Sequence, residues 1–184
     1  SSTVGNIAIG ESCASFLGSG AWYNIAVGKN ACERMDSGAS YNVGIGFNAL
    51  GQSGTSTTAV SGINSVALGY NAGQTYLSGN HNLFFSTNAG VNCGYISDGI
   101  FIGADSGMST TNTASTPVYN VVALGKGAQP TGSNQVRLGN SLVTVYTGAG
   151  AQVTSDARDK TDIKSTSLGL SFINELRPVE FKAD

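Results

Sequence analysis

The 184-residue sequence predicts an all-β fold, in which short parallel strands repeat along the chain and form a rod. A short motif, typified by Asn24-Ile25-Ala26-Val27-Gly28, returns along most of the chain. Its central residues alternate large, small and large, which is the period of a short β-strand. Charged residues make up only 11% of the chain and Gly numbers 26, a composition that suits tightly turned β-structure.

The copies of this motif, which we call rungs, follow one another at nearly constant intervals. The residues that close successive rungs give steps of 18, 18, 23, 17, 17, 22 and 14. These closing residues are Gly10, Gly28, Gly46, Gly69, Ser86, Gly103, Gly125 and Gly139. One coil per step, stacked at the spacing of parallel strands, would make a rod about 35 Å tall.

The two faces of each rung carry different side chains. The middle position is small in most rungs, but it is Phe84, Phe101 and Arg137 in three of them. We expect the Ile and Val residues to fill the coil interior, and the small residues, such as Ala26, to let a neighbouring backbone approach. A narrow coil has little interior, so burial between chains is expected. Phe84 and Phe101 are expected to stack as an aromatic plug or to widen the rod locally.

The residues that open and close the rungs favour turns. Asn tolerates the left-handed backbone region and Gly adopts it freely, so both are interpreted as turn residues, although a ladder of buried Asn could hold ions or water. Two longer connections, Gly51 to Ile63 and Ala104 to Tyr119, are rich in Ser, Thr and Gly and are expected to be outward loops. The three cysteines lack the spacing of metal ligands and are expected at small buried positions.

Aromatic residues between the rungs are the candidate binding residues. An exposed aromatic ring offers a flat apolar face and a polar edge, which together suit sugar rings and protein surfaces. The candidates are Trp22, Tyr23, Tyr41, Tyr76, Tyr95 and Tyr119.

Several other functions are not favoured by the sequence. The net charge is −2 and no basic run is present, so neither nucleic acid nor an anionic membrane is an expected partner. No apolar run approaches the roughly 20 residues of a membrane span. His81 stands alone in the sequence, and we assign it no catalytic or metal role; no cofactor or metal is expected.

The rungs resemble the Asn-x-Ala-Ile-Gly repeats of phage tail fibres and, more distantly, the β-roll heads of trimeric autotransporter adhesins. The resemblance covers about three quarters of the chain and implies that a repetitive parallel β-roll or an interleaved triple β-helix forms a homotrimeric rod. The rungs of Phe84 and Phe101 and the two long connections depart from the simplest repeat of either family.

The composition changes near the end of the chain, and this change predicts a boundary between a fibre domain at 1–154 and a second domain at 155–184. Residues 141–146 are predicted to form one more strand before the boundary. More than half of the charged residues of the chain lie in 155–184. There, Leu168, Phe172, Ile173 and Leu176 fall on one side of a predicted helix that Pro178 ends.

The C-terminal residues resemble the opening of the intramolecular chaperone of phage tailspikes and fibres, the self-cleaving module of endosialidase tailspikes. The match runs through Ser155-Asp156-x-Arg158-x-Lys160-x-x-Ile163 and Gly169-Leu170-x-Phe172-Ile173-x-x-Leu176-x-Pro178-Val179-x-Phe181. The resemblance implies that this module trimerises, brings three chains into register and is then released by its own Ser-Lys chemistry. Parallel pairing of distant strands is slow, which gives such a nucleus a physical purpose.

The resemblance also implies the roles of three residues. Ser155 would be the nucleophile, Lys160 the base that accepts its proton, and Asp156 would flank the scissile bond. Only the opening of the module lies within the 184 residues, so we expect no cleavage of this chain. A fragment ending near Ser155 in a mass spectrum would contradict this expectation.

These observations predict an extracellular virion component, namely a structural and receptor-binding segment of a bacteriophage tail fibre. Its partners would be two further copies of itself and a glycan or protein on the host cell surface. Self-cleavage is the only enzymatic activity expected. The alternatives are a polysaccharide-degrading tailspike, which would need two positioned carboxylates, and the head of a bacterial trimeric adhesin.

Overall fold

The computed structural model describes residues 4–51, 60–113 and 115–144, which form a parallel β-solenoid. All eight predicted rungs are strands, and they form one eight-stranded parallel sheet. Each rung pairs with the next rung of the same chain, so these coils belong to a β-roll and do not interleave with other chains. No helix occurs in these ranges, so the described residues include no helix that could cross a membrane.

Ten strands are present in the described ranges. They are β1 (Ile7–Ile9), β2 (Phe16–Leu17), β3 (Ile25–Val27), β4 (Arg34–Met35), β5 (Val43–Ile45), β6 (Val66–Leu68), β7 (Leu83–Phe85), β8 (Ile96–Ile102), β9 (Val118–Leu124) and β10 (Gln135–Leu138). The large sheet has the order β1-β3-β5-β6-β7-β8-β9-β10, and β2 pairs with β4 in a second, two-stranded sheet.

The register of the large sheet places equivalent residues of successive rungs in columns. Ala26 lies opposite Ala8 on one side and Gly44 on the other, and Phe84 lies opposite Phe101. The steps of 23 and 22 residues do not disturb this alignment, because the extra residues lie between strands. A side chain in one rung therefore stacks on its counterpart in the next.

The small column faces the coil interior, and the prediction that Ile and Val fill the interior is wrong. Ala26 and Ala67 are fully buried, whereas Ile45 and Phe85, which also lie in interior strands of the sheet, are 41% and 49% exposed. A coil this narrow has room for methyl groups and glycine next to the opposite wall, but not for branched side chains from every rung. The large residues therefore point outwards.

The interior accepts two large rings in the rungs that carry Phe84 and Phe101. Both rings are fully buried, and they stack with their centroids 5.6 Å apart. Their predicted stacking as an aromatic plug is confirmed. The cysteines also behave as predicted at two positions, since Cys32 and Cys93 are buried and free, while Cys13 is half-buried.

Two further predictions about local structure need correction. Residues 104–119 are not simply an outward loop: Gly107 pairs with Val91, and Met108 is buried in the core. The strand predicted at 141–146 is absent from its described part, where Val143 N–H donates to the carbonyl of Asn140 in a turn. The boundary at residue 155 and the predicted helix lie outside the described residues.

Candidate functional site

The outward side of the large sheet carries two columns of large apolar side chains, which we call the apolar face. The first column holds Ile7, Ile25, Val43, Val66, Leu83, Ile100, Val122 and Val136, and the second holds Ile9, Val27, Ile45, Leu68, Phe85, Ile102, Leu124 and Leu138. The alternation of strand side chains places both columns on the side opposite the buried alanines.

The apolar face reaches solvent along the height of the solenoid, with nine of its sixteen side chains exposed and seven half-buried. Val136 is 69% exposed near one end, Ile45 is 41% exposed and Phe85 is 49% exposed in the middle. Seven strand spacings and two columns give a face about 34 Å by 13 Å, on the order of 400 Å². The largest apolar patch on a soluble monomer typically measures about 300–600 Å² and is often functional. The apolar face is therefore the main candidate functional surface.

Aromatic stacks border the apolar face on both edges. Tyr23 and Tyr41 lie two residues before the strands of their rungs, and their rings stack with centroids 5.3 Å apart. Phe47 and Tyr70 lie two residues after their strands and also stack at 5.3 Å. All four rings are exposed. Phe47 and Tyr70 were not among the sequence candidates, although aligning the rungs on their closing glycines would have placed them in one column.

An ion pair and a contact between a histidine and a carboxylate occupy the same edge columns in other rungs. Lys29 Nζ lies 3.0 Å from Glu11 Oε1, beyond the second column of the apolar face. His81 Nδ1 lies 3.3 Å from Asp98 Oδ1, in the column of Tyr23 and beside the first. The fold thus brings an acidic partner to His81 that the sequence does not place near it. These exposed pairs give the apolar face a polar border.

Tyr95 and Tyr119 belong to a second surface. They line a cleft of about 310 Å³ together with Ser78, Ser97 and Pro117. Tyr119 is 54% exposed and Tyr95 is half-buried. The cleft therefore combines two aromatic rings with serine hydroxyl groups, which is a composition that suits a sugar.

Tyr76 does not belong to either surface, and its assignment as a binding residue is corrected. Its ring is fully buried and packs against Phe84 at 5.5 Å, and its hydroxyl group donates to the carbonyl of Gly79 and contacts Ser65 Oγ at 3.2 Å. Burial raises the pKa of the Tyr76 phenol, against the opposing effect of hydrogen bonds from Ser65 and Asn82. Trp22 is exposed, beside the Tyr23 edge.

The Asn residues that open the rungs separate into two columns. Asn64, Asn120 and Asn134 have left-handed backbone and exposed side chains, as the turn interpretation predicts. Asn24 and Asn42 instead are buried in the interior, and each amide group joins successive coils by hydrogen bonds. For this inner column the turn interpretation is wrong.

The catalytic residues implied by the C-terminal motif, Ser155, Asp156 and Lys160, lie outside the described residues. Across 4–51, 60–113 and 115–144, no group of three or more His, Cys, Asp and Glu side chains is placed to hold a metal ion.

No family model, curated protein or solved structure matches this chain. Its function is therefore inferred from the apolar face, the tyrosine cleft and the motif at 155–181.

Proposed function

We propose that this chain is a segment of a homotrimeric bacteriophage tail fibre, which acts as part of the shaft and contacts a receptor on the host cell. The observation that carries the proposal is the exposed apolar face. It runs the full height of a solenoid whose own core is complete, so the face is available to other chains. Its straight columns suit copies that stand side by side with their long axes parallel.

A three-fold arrangement would bury all three faces around one axis. Each face contributes on the order of 400 Å², so a trimer would bury about 1,200 Å² in all, or about 400 Å² at each of its three interfaces. A stable interface buries roughly 1,200 Å² or more, so the edges of the faces must supply the rest. Identical rungs would meet at the same height, because a closed ring of identical contacts allows no shift along the axis. The trimer expected from the sequence thus uses the Ile and Val columns, and the alanine column remains inside each coil.

The test of the trimer is the substitution Ile45→Glu. Three carboxylates would meet around the axis in an apolar environment, so we expect the variant to be monomeric by light scattering while the wild-type chain is trimeric. Phe16→Glu is the matched control, because Phe16 is 58% exposed on the separate two-stranded sheet. Circular dichroism checks that each variant folds. A monomeric wild-type chain, or a trimeric Ile45→Glu variant, would overturn the proposal.

For receptor contact, the cleft of Tyr95 and Tyr119 supports a carbohydrate ligand. We expect Tyr119→Ala to lose retention on a panel of immobilised bacterial surface polysaccharides by about tenfold, because one stacked ring contributes roughly 1 kcal/mol or more. Phe16→Ala removes an exposed ring elsewhere and is the control. If the Tyr119→Ala variant is retained as strongly as the wild-type chain, the cleft is excluded as the carbohydrate site. New reducing ends in the bound polysaccharide would instead indicate a degrading tailspike.

The motif at 155–181 supports a release step in the same proposal. Ser155 Oγ would form a bond to a backbone carbonyl carbon as the peptide C–N bond breaks, and Lys160 would carry the serine proton to the leaving amine. Water would then hydrolyse the resulting ester, which gives a carboxylic acid and restores the Ser155 hydroxyl group. In a chain that carries the complete module, Ser155→Ala should leave the module attached. Cleavage of that variant, seen by mass spectrometry, would exclude the role of Ser155.

A further inference from the structure

The four exposed rings at the edges of the apolar face are not distributed evenly along the solenoid. They occupy three successive rungs, those of β3, β5 and β6. The rung of β5 is apolar at all four outward positions: Tyr41, Val43, Ile45 and Phe47. The apolar face is therefore widest at this rung.

The two stacks lie on opposite edges, and this matters for how copies can meet. In a closed three-fold ring every interface is heterologous, so one edge of a copy meets the opposite edge of its neighbour. The Tyr23 and Tyr41 edge of one copy would then face the Phe47 and Tyr70 edge of the next, with Tyr41 and Phe47 at the same height because both belong to the rung of β5.

We propose that the two stacks of neighbouring copies combine into a four-ring aromatic cluster, with Tyr41 of one copy against Phe47 of the next. This inference rests on the proposed homotrimer and specifies which residues close its three interfaces. The same alignment sets Tyr23 beside Lys29 of the neighbour, where the ammonium group can lie over the ring. It also sets the Asn64 amide beside Tyr70.

The chemistry of the edges favours a second copy over another occupant. Among the described residues, two pairs of exposed rings are stacked, and they lie on opposite edges of the same face. Aromatic pairs stabilise an interface by more than the area they bury, and the three-fold ring would repeat the cluster three times. The second copy also covers the apolar face between the two stacks.

Disulfide trapping tests the contact in the full chain. The variant Tyr41→Cys/Phe47→Cys is made in a Cys13→Ser background, because Cys13 is only half-buried whereas Cys32 and Cys93 are buried. Within one copy, residues 41 and 47 are separated by roughly 20 Å of extended strand, beyond the reach of a disulfide. A bond between them must therefore join two copies.

We expect mild oxidation to convert the variant into covalent trimers on a non-reducing gel. The control Tyr41→Cys/Thr87→Cys uses the column of Phe47 two rungs away, about 10 Å further along the axis, and should not cross-link. A chain that is trimeric by light scattering but does not cross-link, or that cross-links equally in both variants, overturns the aromatic cluster and leaves the trimer standing. A monomeric wild-type chain overturns both.

A second measurement does not depend on introduced thiols. Tyr41→Ala should raise the concentration at which the trimer dissociates on dilution by about tenfold or more, since it removes one aromatic contact from each interface. Phe16→Ala removes an exposed ring on the separate two-stranded sheet and should leave that concentration unchanged. An unchanged dissociation of Tyr41→Ala would count against the cluster.

Discussion

At the scale of single residues, the coil interior is kept full by pairing large residues with small ones. Gly44 leaves room for Cys32, because a Cβ at Gly44 would lie 2.6 Å from the Cys32 Sγ atom. Where the strand residue is Phe84, the facing residue is Gly90, whose Cβ would lie 2.2 Å from the ring. The cross-section therefore stays nearly constant although the strand residue ranges from glycine to phenylalanine.

Gly90 and Gly38 provide a matched test of this packing, because both have a φ of 85°. A Cβ at Gly38 would meet nothing within 4 Å. Gly38→Ala should therefore cost only the left-handed strain, about 1 kcal/mol. Gly90→Ala should cost a further 1–3 kcal/mol, because the methyl group displaces the Phe84 ring. If urea titrations show equal losses of unfolding free energy for Gly38→Ala and Gly90→Ala, the Phe84 ring moves aside at little cost.

Because of the buried thiols, the unfolding free energy falls as the pH rises into the alkaline range. Burial, with a smaller contribution from the Cys13 thiol, raises the pKa of the Cys32 thiol to about 12. Between about pH 9 and pH 12 the unfolded chain loses this proton and the folded chain keeps it, so stability falls with rising pH by about 1.4 kcal/mol per unit. Burial raises the pKa of the Cys93 thiol in the same direction.

The Cys32→Ala variant isolates this contribution. Its unfolding free energy, measured by urea titration from pH 8 to pH 11, should fall less steeply above pH 9 than that of the wild-type chain. All other titrating groups are common to both proteins, so the difference in slope belongs to Cys32. Identical slopes would mean that the Cys32 thiol ionises as freely in the folded protein as in the unfolded one.

The residue scale also shows what the sequence could not decide. The alternation in Ile25-Ala26-Val27 establishes that alanine lies opposite the two larger residues, but it does not establish which side is interior. The usual preference for large apolar residues inside gives the wrong answer here, because the width of the coil limits the interior. The width of the coil depends on the residues that face the strand across the interior, such as Cys32. These residues lie elsewhere in the repeat, outside the strand.

At the scale of elements, the strands are held in register by a ladder of side-chain amides inside the coil. Asn42 N–H donates to Asn24 Oδ1 at 3.0 Å, and Asn42 Oδ1 accepts from the Ser65 N–H at 2.9 Å. The Asn42 Nδ2 group also donates to the Gly62 carbonyl at 2.8 Å. If the strands paired one rung out of register, most of the apolar columns would still align. The amide ladder would break, because Ser65 occupies the position that holds Asn in neighbouring coils.

Asn42→Ala tests the ladder. The substitution leaves the Ser65 N–H and the Gly62 carbonyl without their partner in a buried site, so the unfolding free energy should fall by about 2–4 kcal/mol. The control is Asn64→Gly, because Asn64 is exposed and its φ of 55° suits glycine. That change should stay within about 0.5 kcal/mol. Comparable losses in both variants would exclude a special role for the inner ladder.

The prediction of elements from the sequence was more successful than that of the surfaces. All eight rungs and their order could be predicted, because each carries its own alternation and closing residue. The division of the Asn residues could not, since Asn42 and Asn64 occupy adjacent columns and both stand just before a strand. Tyr76 was likewise misplaced, because its burial depends on the coil that contains Phe84.

At the scale of the whole molecule, the described coils form a one-dimensional stack in which each coil contacts mainly its neighbours. The interior strands of the large sheet have a partner on both sides, whereas β1 and β10 have one partner each within the described residues. Stability in such a stack is close to a sum of neighbour contacts, so opening should begin at the ends. All three residues of β1 are exposed, in keeping with this expectation.

Hydrogen exchange of two equivalent amides tests this view in the 184-residue chain. The N–H groups of Ile7 and Val66 occupy the same position in their rungs, and each donates to a carbonyl of the next coil at 2.8 Å. Their bonds are alike, so a difference in exchange would report the number of stacked neighbours. We expect the Ile7 amide to exchange at least a hundredfold faster, because fraying of an end coil costs less than opening the middle. Equal protection at both positions would show that all coils open together, and the stack would then behave as a single cooperative unit.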